Sequence, residues 1–255
     1  MNAEIFADLV RKIQAGDTDA LEQLLLRAYT PVHYLTGKFL QDENSVQHVT
    51  REVLEIISSK LNSLADPDEF EKWMCRITAA RCIPAIPLYA LENTEPGAPI
   101  WLESLTDGQT LTETESAFTI QQMVDALPER PRLCMLLLCC GGLSIHAIAQ
   151  LTGFSVDAVK QYISRGQGTI QEHLWALQSR DIQFTGLTSL SGILHIAMYQ
   201  APEDEDPITM IYGILGKEIP NPEKKIIRTL SGILAVLIVA NFVACGILFM
   251  MMRAS

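Results

Sequence analysis

Residues 144–165, SIHAIAQLTGFSVDAVKQYISR, decide how this part of the chain folds. Apolar residues recur at helical spacing on both sides of Gly153, and glycine accepts the left-handed turn conformation between two helices. Ser155, two residues later, is a natural N-cap for the second helix. Ala149, Gly153 and Val159 have the spacing of a helix-turn-helix, in which a small residue lets the helices approach and an apolar residue fixes their crossing. The sequence therefore predicts two short helices joined by a tight turn.

The second of these helices, predicted from Val156 to about Arg165, has one apolar and one polar face. Val156, Val159 and Ile163 share the inward face, and the outward side chains suit a DNA groove. Lysine and arginine contact phosphates or guanine edges, and glutamine makes paired hydrogen bonds to adenine. The candidate DNA-binding residues are Ser155, Asp157, Lys160, Gln161, Ser164 and Arg165. An ordinary helical hairpin with a solvated charged face is the alternative interpretation.

Charge divides the rest of the chain into segments. The 255 residues carry a net charge of -11, which excludes a uniformly basic nucleic-acid-binding surface. Residues 120–180 carry 5 basic and 4 acidic side chains and are predicted to form the helix-turn-helix domain. Acidic segments with several prolines flank it at 87–119 and 181–225, and both are predicted to be linkers. The second includes a short apolar stretch, residues 186–199, predicted to be an amphipathic or docking helix.

Residues 1–86 are predicted to form a small bundle of helices. Apolar residues recur at helical spacing, and no stretch alternates with the period of a strand. Pro31 is expected to bend or break the second helix, and Asp66 to begin the fourth. Pro84 and Pro87 are expected to end that fourth helix. The expected fold class is therefore all-α, with two small helical domains and a C-terminal transmembrane helix.

The transmembrane helix is predicted at residues 226–252. Residues 229–252 lack an ionisable side chain apart from Cys245, and a helix of 24 residues spans about 36 Å. Three basic residues precede this stretch and one follows it, so the positive-inside rule places residues 1–225 in the cytoplasm. The expected location is the cell membrane, with a single span and the lipid bilayer as a partner. A buried core helix is the alternative interpretation.

Short motifs in both helical units point to one family. In the second unit they are Leu127-Pro128-Glu129 with Arg132, Leu143-Ser144, Ile148-Ala149, Val159-Lys160 and Ser164-Arg165. In the first unit they are Ala15-Gly16-Asp17 with Ala20, residues 29–35 (YTPVHYL), and residues 70–74 (FEKWM) with Ile77. Over about residues 4–86 and 120–176, the chain resembles a bacterial RNA polymerase sigma factor of the extracytoplasmic-function type. The resemblance implies a first domain that docks on polymerase near the start site and a second that reads upstream promoter DNA.

The first unit departs from the family pattern at two places. His48-Val49-Thr50-Arg51-Glu52 stands where the family usually has Asp-Leu-Val-Gln-Glu. The resemblance implies that this stretch contacts core RNA polymerase, so His48, Arg51 and Glu52 are the candidate polymerase-binding residues. Pro84 and Pro87 end the fourth helix where the family usually has side chains that melt and read promoter DNA.

Two functions follow from the matches and the departures. The leading hypothesis is a membrane-anchored, sigma-like factor that binds promoter DNA and core RNA polymerase to direct transcription initiation. An anti-sigma or other regulatory protein is a further possible partner. The alternative is an adaptor or decoy of the same fold, which holds a protein partner at the membrane without melting promoters. The departures at His48, Arg51 and 80–87 favour the alternative, whereas Lys160 and Arg165 favour the first.

No pattern for catalysis or metal binding stands out. The five histidines are scattered, and the cysteines form no Cys-x-x-Cys pair. Cys134, Cys139 and Cys140 lie in a leucine-rich run, where free cysteine acts as a small apolar filler. We therefore expect no enzyme activity, no cofactor and no metal site.

Overall fold

The computed structural model describes residues 2–40, 42–86, 104–186, 189–199 and 207–218. Residues 1–214 form one compact unit, and residues 215–255 form a second. The described helices are α1 Asn2–Gln14, α2 Thr18–Phe39, α3 Glu43–Lys60, α4 Phe70–Cys82, α5 Glu113–Asp125, α6 Glu129–Cys139, α7 Ile145–Thr152, α8 Val156–Ser179, α9 Leu190–Met198 and α10 Pro207–Leu215. Two strands, β1 Thr110–Leu111 and β2 Gln183–Phe184, pair in parallel. The described part of the chain is thus mostly helical, as predicted.

The first four helices form a bundle around α2, which packs against α1, α3 and α4. Asp17 caps α2, because its carboxylate accepts a hydrogen bond from the backbone N–H of Asp19 at 2.9 Å. Pro31 lies inside α2, and the helix continues through it. The expected break does not occur, since Leu24 and Leu35 on either side are fully buried and their packing outweighs the hydrogen bond that proline cannot donate.

The ends of α4 follow from its flanking residues. The carboxylate of Asp66 accepts a hydrogen bond from the N–H of Asp68 at 3.0 Å and starts a short 3-10 turn, Pro67–Glu69, before α4. After Cys82 the chain continues as a second 3-10 turn, Ile83–Ala85. The α-helical conformation therefore ends where the sequence predicts.

The helix α5 begins inside the segment 87–119 that is predicted to be a linker. Thr112 and Glu115 form a capping box, in which the N–H of Glu115 donates to Thr112 Oγ1 at 3.3 Å and the N–H of Thr112 donates to Glu115 Oε2 at 2.8 Å. The strand β1 precedes α5 and pairs with β2, which follows α8. The two ends of the helix-turn-helix region thus lie side by side. The domain boundaries stay a prediction.

The helix α9 contacts both predicted helical domains. It packs against α5 and α6 and also contacts α2. Ser191 Oγ donates a hydrogen bond to the carbonyl oxygen of Cys139 at 2.9 Å, and Tyr199 Oη donates one to Glu71 Oε1 at 2.5 Å. Leu194 is fully buried. The apolar stretch 186–199 therefore contains a helix that joins the two regions.

Side chains of the first bundle also contact the helix-turn-helix region directly. Lys38 Nζ lies 2.6 Å from Asp125 Oδ2, and both side chains are mostly buried. The thiol of Cys75 lies 3.8 Å from the carbonyl oxygen of Cys140. Among the described residues, all five cysteines are free, and burial raises the pKa of the Cys75 thiol to about 12. Such a thiol is unreactive and packs as an apolar residue.

The expected membrane location is wrong. No helix among the residues that the structure describes is long and apolar enough to cross a bilayer. The predicted span itself, residues 226–252, lies outside the described residues. An uncharged run with basic flanks is a compositional signal and does not by itself establish a membrane span.

Candidate nucleic-acid and polymerase interfaces

The helices α7 and α8 form the predicted helix-turn-helix. Ser144 Oγ accepts a hydrogen bond from the N–H of Ala147 at 3.2 Å and caps α7. Gly153 ends α7 in the left-handed conformation, with φ of +74°. Ser155 Oγ then accepts a hydrogen bond from the N–H of Ala158 at 3.1 Å and caps α8. Two caps and one left-handed glycine therefore set the direction in which α8 leaves the turn.

We expect Gly153→Ala to lower the free energy of unfolding by about 1 to 2 kcal/mol, the cost of a left-handed conformation for a residue with a Cβ atom. The new methyl group meets no atom within 4 Å, so the cost is conformational. Gly168→Ala is the matched control, because Gly168 lies in α8, has a helical backbone and also has open space around it. The free energy of unfolding of this control should rise by about 0.5 to 1 kcal/mol. Urea denaturation of the full chain measures both, and a similar effect at the two positions would contradict the turn geometry.

The six candidate DNA-binding residues lie at the start of α8. All of them are exposed: Ser155, Asp157, Lys160, Gln161, Ser164 and Arg165. On the opposite face Val159 and Ile163 are buried and Val156 is half-buried. Lys160 Nζ lies 3.4 Å from Asp157 Oδ1, but the carboxylate is 87% exposed, so this ion pair is weak. The lysine can therefore exchange this partner for a phosphate at little cost.

The helix α8 is much longer than the predicted segment, which ended near Arg165. It has 24 residues and continues to Ser179, because Ile170 and Leu177 extend its buried face. Gly166 lets α8 approach α6 closely. A Cβ atom at this position would lie 2.9 Å from Cγ of Met135, which is fully buried. The first turns of α8 are thus exposed on their outer face, and the rest of the same helix packs tightly against α6.

A cluster of one cation and two aromatic rings, which the sequence analysis missed, joins α6 to the turn. Arg130 Nη1 donates a hydrogen bond to Tyr162 Oη at 3.0 Å. The guanidinium carbon lies 5.8 Å from the ring centre of Phe154 and 5.9 Å from that of Tyr162, within the range of a cation–π interaction. The two rings meet edge to face at 5.4 Å. Arg130 is 32 positions from Tyr162, so no local spacing signals this contact.

The candidate polymerase-binding residues lie on α3. His48 and Arg51 are exposed and Glu52 is half-buried. Arg51 Nε lies 3.1 Å from Glu55 Oε1, and Glu52 Oε1 lies 4.0 Å from Arg81 Nη1. These pairs leave roughly half of each side chain open to solvent, so they are weak surface interactions. The three side chains therefore share one accessible helix surface.

The comparisons with known proteins place the helix-turn-helix region in a family. Residues 117–166 match the family described as Sigma-70, region 4. The ECF RNA polymerase sigma factor SigW of Bacillus subtilis (strain 168) is 23% identical over 177 residues, which cover 65% of this chain and 94% of that protein. A solved structure, described as that of CnrH in complex with the cytosolic domain of CnrY, has 21% sequence identity and a TM-score of 0.42, and covers 68% of this chain and 98% of that one.

The chain therefore contains a sigma-70 region 4 domain of helix-turn-helix type. Together with the weaker similarity over the longer alignment, this domain supports a sigma factor of the extracytoplasmic-function type. Proteins of this family regulate transcription and are not enzymes, which agrees with the sequence analysis.

Proposed function

We propose that the chain directs transcription initiation by binding promoter DNA and core RNA polymerase at two separate surfaces. The exposed start of α8 is the DNA-binding surface, with Ser155, Asp157, Lys160, Gln161, Ser164 and Arg165 as its contacts. The surface of α3 that carries His48, Arg51 and Glu52 binds core RNA polymerase. The observation that carries this proposal is a capped helix with two exposed cations, placed after a left-handed turn inside the region 4 match.

Each exposed side chain of α8 has a distinct role in this proposal. The first turns of a recognition helix enter the major groove, where Lys160 and Arg165 bind phosphates or guanine and Gln161 reads adenine. The net charge of residues 120–180 is small, with 5 basic and 4 acidic side chains. The domain therefore binds DNA weakly by itself and depends on polymerase for its placement.

We expect Lys160→Ala and Arg165→Ala to weaken promoter binding by the full chain with core RNA polymerase. A lost phosphate contact weakens binding to all sequences and lowers the slope of log affinity against log salt by about 0.9. A lost base contact costs about 1 to 3 kcal/mol at a single base position. Fluorescence anisotropy over a promoter library and a salt series distinguishes the two.

Lys60→Ala is the matched control for this experiment. Lys60 is an exposed cation at the end of α3, remote in sequence from α8. Its replacement removes one positive charge, as each of the two α8 variants does. If Lys60→Ala weakens promoter binding as much as the two α8 variants do, the assigned DNA surface is wrong.

An adaptor that captures a protein partner without melting promoters is the second candidate. It is favoured by the end of α4 at Cys82 and by the 3-10 turn Ile83–Ala85 that follows. This turn occupies the positions where the resemblance calls for a helix that melts promoter DNA. Permanganate footprinting separates the two functions, because a sigma factor exposes unpaired thymines near the start site and an adaptor does not.

A further inference from the structure

Two side chains of the first bundle reach α10, one from α2 and one from α3. Tyr212 Oη donates a hydrogen bond to Glu22 Oε1 on α2 at 2.7 Å. The guanidinium group of Arg51, on α3, reaches Gly213: its Nη2 lies 3.4 Å from the position that a Cβ atom would take there. Ile211, close in sequence to both contacts, is fully buried. A segment from far along the chain thus packs on the first helical bundle.

This placement conflicts with polymerase binding at the same surface. Arg51 is one of the three side chains that the proposed function assigns to core RNA polymerase. Its Nη2 atom lies 3.4 Å from the position that a Cβ atom at Gly213 would take, so α10 lies beside the arginine, whose side chain stays about half exposed. A protein that closes over Arg51 must first displace α10 or move it aside.

The preceding helix α9 holds this segment close to the bundle. Burial alone would raise the pKa of Glu71, but hydrogen bonds from His195 and Tyr199 outweigh it and lower the pKa, so the carboxylate is stabilised in its charged form. Met198 is fully buried. Only residues 200–206 separate Tyr199, at the end of α9, from α10 in the sequence.

We propose that α10 partly overlaps the proposed polymerase-binding surface, in competition with core RNA polymerase for the space beside Arg51. The inference rests on the proposed function. When only a fraction of molecules has the surface uncovered, the apparent dissociation constant for polymerase equals the intrinsic value divided by that fraction. Changes that weaken the contact between α10 and α3 therefore increase the affinity for polymerase, and changes that strengthen it decrease the affinity.

The test compares two variants that carry opposite charges at position 213. Gly213→Arg sets a like charge against Arg51 and favours the open state, whereas Gly213→Glu sets an opposite charge there and favours the covered state. Arginine and glutamate have similar helix propensities, and the dipole of the last turn of α10, which favours arginine, acts against the expected difference. We expect the full chain with arginine to bind core RNA polymerase about fivefold more tightly than the chain with glutamate. The difference should shrink as salt is raised.

The same two charges at Thr209 serve as the control. Thr209 is exposed on α10, one helical turn before Gly213. If Thr209→Arg and Thr209→Glu give the same difference in affinity, the effect is general attraction by polymerase and the inference is overturned. Equal or reversed affinities of the two Gly213 variants also overturn it, while measurable binding in both leaves the proposed function standing. If neither the natural chain nor any variant binds polymerase, the proposed function fails and this inference fails with it.

Discussion

Replacing Gly166 with leucine will lower the free energy of unfolding by about 3 kcal/mol, the upper end of the usual cost of overpacking a core. A Cβ atom at this position lies 2.9 Å from Cγ of Met135 and 3.4 Å from Cδ1 of Leu127. Met135 is fully buried and Leu127 nearly so, which leaves neither side chain room to move away. The helices α6 and α8 must therefore separate, and the start of α8, the proposed DNA-binding surface, moves with them.

Gly168→Leu is the control for this substitution. Gly168 lies two residues further along α8, is exposed, and has no atom within 4 Å of the position that a Cβ atom would take. The same change there should raise the free energy of unfolding by about 0.5 to 1 kcal/mol, since leucine is the better helix former. Urea denaturation followed by circular dichroism measures both variants. A loss of similar size at Gly168 would mean that glycine is needed for a reason other than close packing.

Replacing Phe70 with alanine will lower the free energy of unfolding by about 3 to 5 kcal/mol, the range for removing a buried aromatic side chain. Phe70 begins α4, is 1% exposed, and packs its ring 5.1 Å from that of Phe6 on α1 and 6.0 Å from that of Trp73. The substitution leaves a cavity where α1 and α4 meet. We expect the thermal transition of the compact unit, residues 1–214, to move to a lower temperature.

Phe118→Ala is the matched control for Phe70. Phe118 lies on α5 with 57% of its surface exposed, so its removal should change the free energy of unfolding by no more than about 0.5 kcal/mol. Differential scanning calorimetry of the two variants compares one residue type in two environments. Equal losses would show that Phe118 is buried in solution and that α5 packs against more of the protein than its exposed ring indicates.

Local signals in the sequence predict most of the helix ends. Ser155 and Gly153 each act within a few residues of their own position, and the spacing of small and apolar residues around them is sufficient to predict the helix-turn-helix. The start of α5 could have been predicted in the same way, because Thr112 and Glu115 have the spacing of a capping box. The acidic composition of the surrounding segment concealed this signal.

The features that the sequence does not predict depend on contacts between distant residues. Arg130 contacts Tyr162, which is 32 positions away. The helical spacing of α6 and that of α8 are each complete without this contact, so neither segment predicts it. The continuation of α2 through Pro31 depends on burial by three neighbouring helices, which outweighs the local preference of proline. The position of α10 on the first bundle is of the same kind, since Tyr212 and Glu22 are 190 positions apart.

The pairing of β1 with β2 makes the helix-turn-helix domain a loop that is closed at its base. Each strand has only two residues, too few to offset the entropy lost when chain ends so far apart in sequence are brought together. The hydrogen bond from Arg180 to Asp107 at 2.6 Å and that from Thr185 to the carbonyl oxygen of Leu111 at 2.7 Å strengthen the closure. The paired strands β1 and β2 therefore stay together only while α5 to α8 are folded. Unfolding of these helices would release both the chain before β1 and the chain after β2, which carries α9.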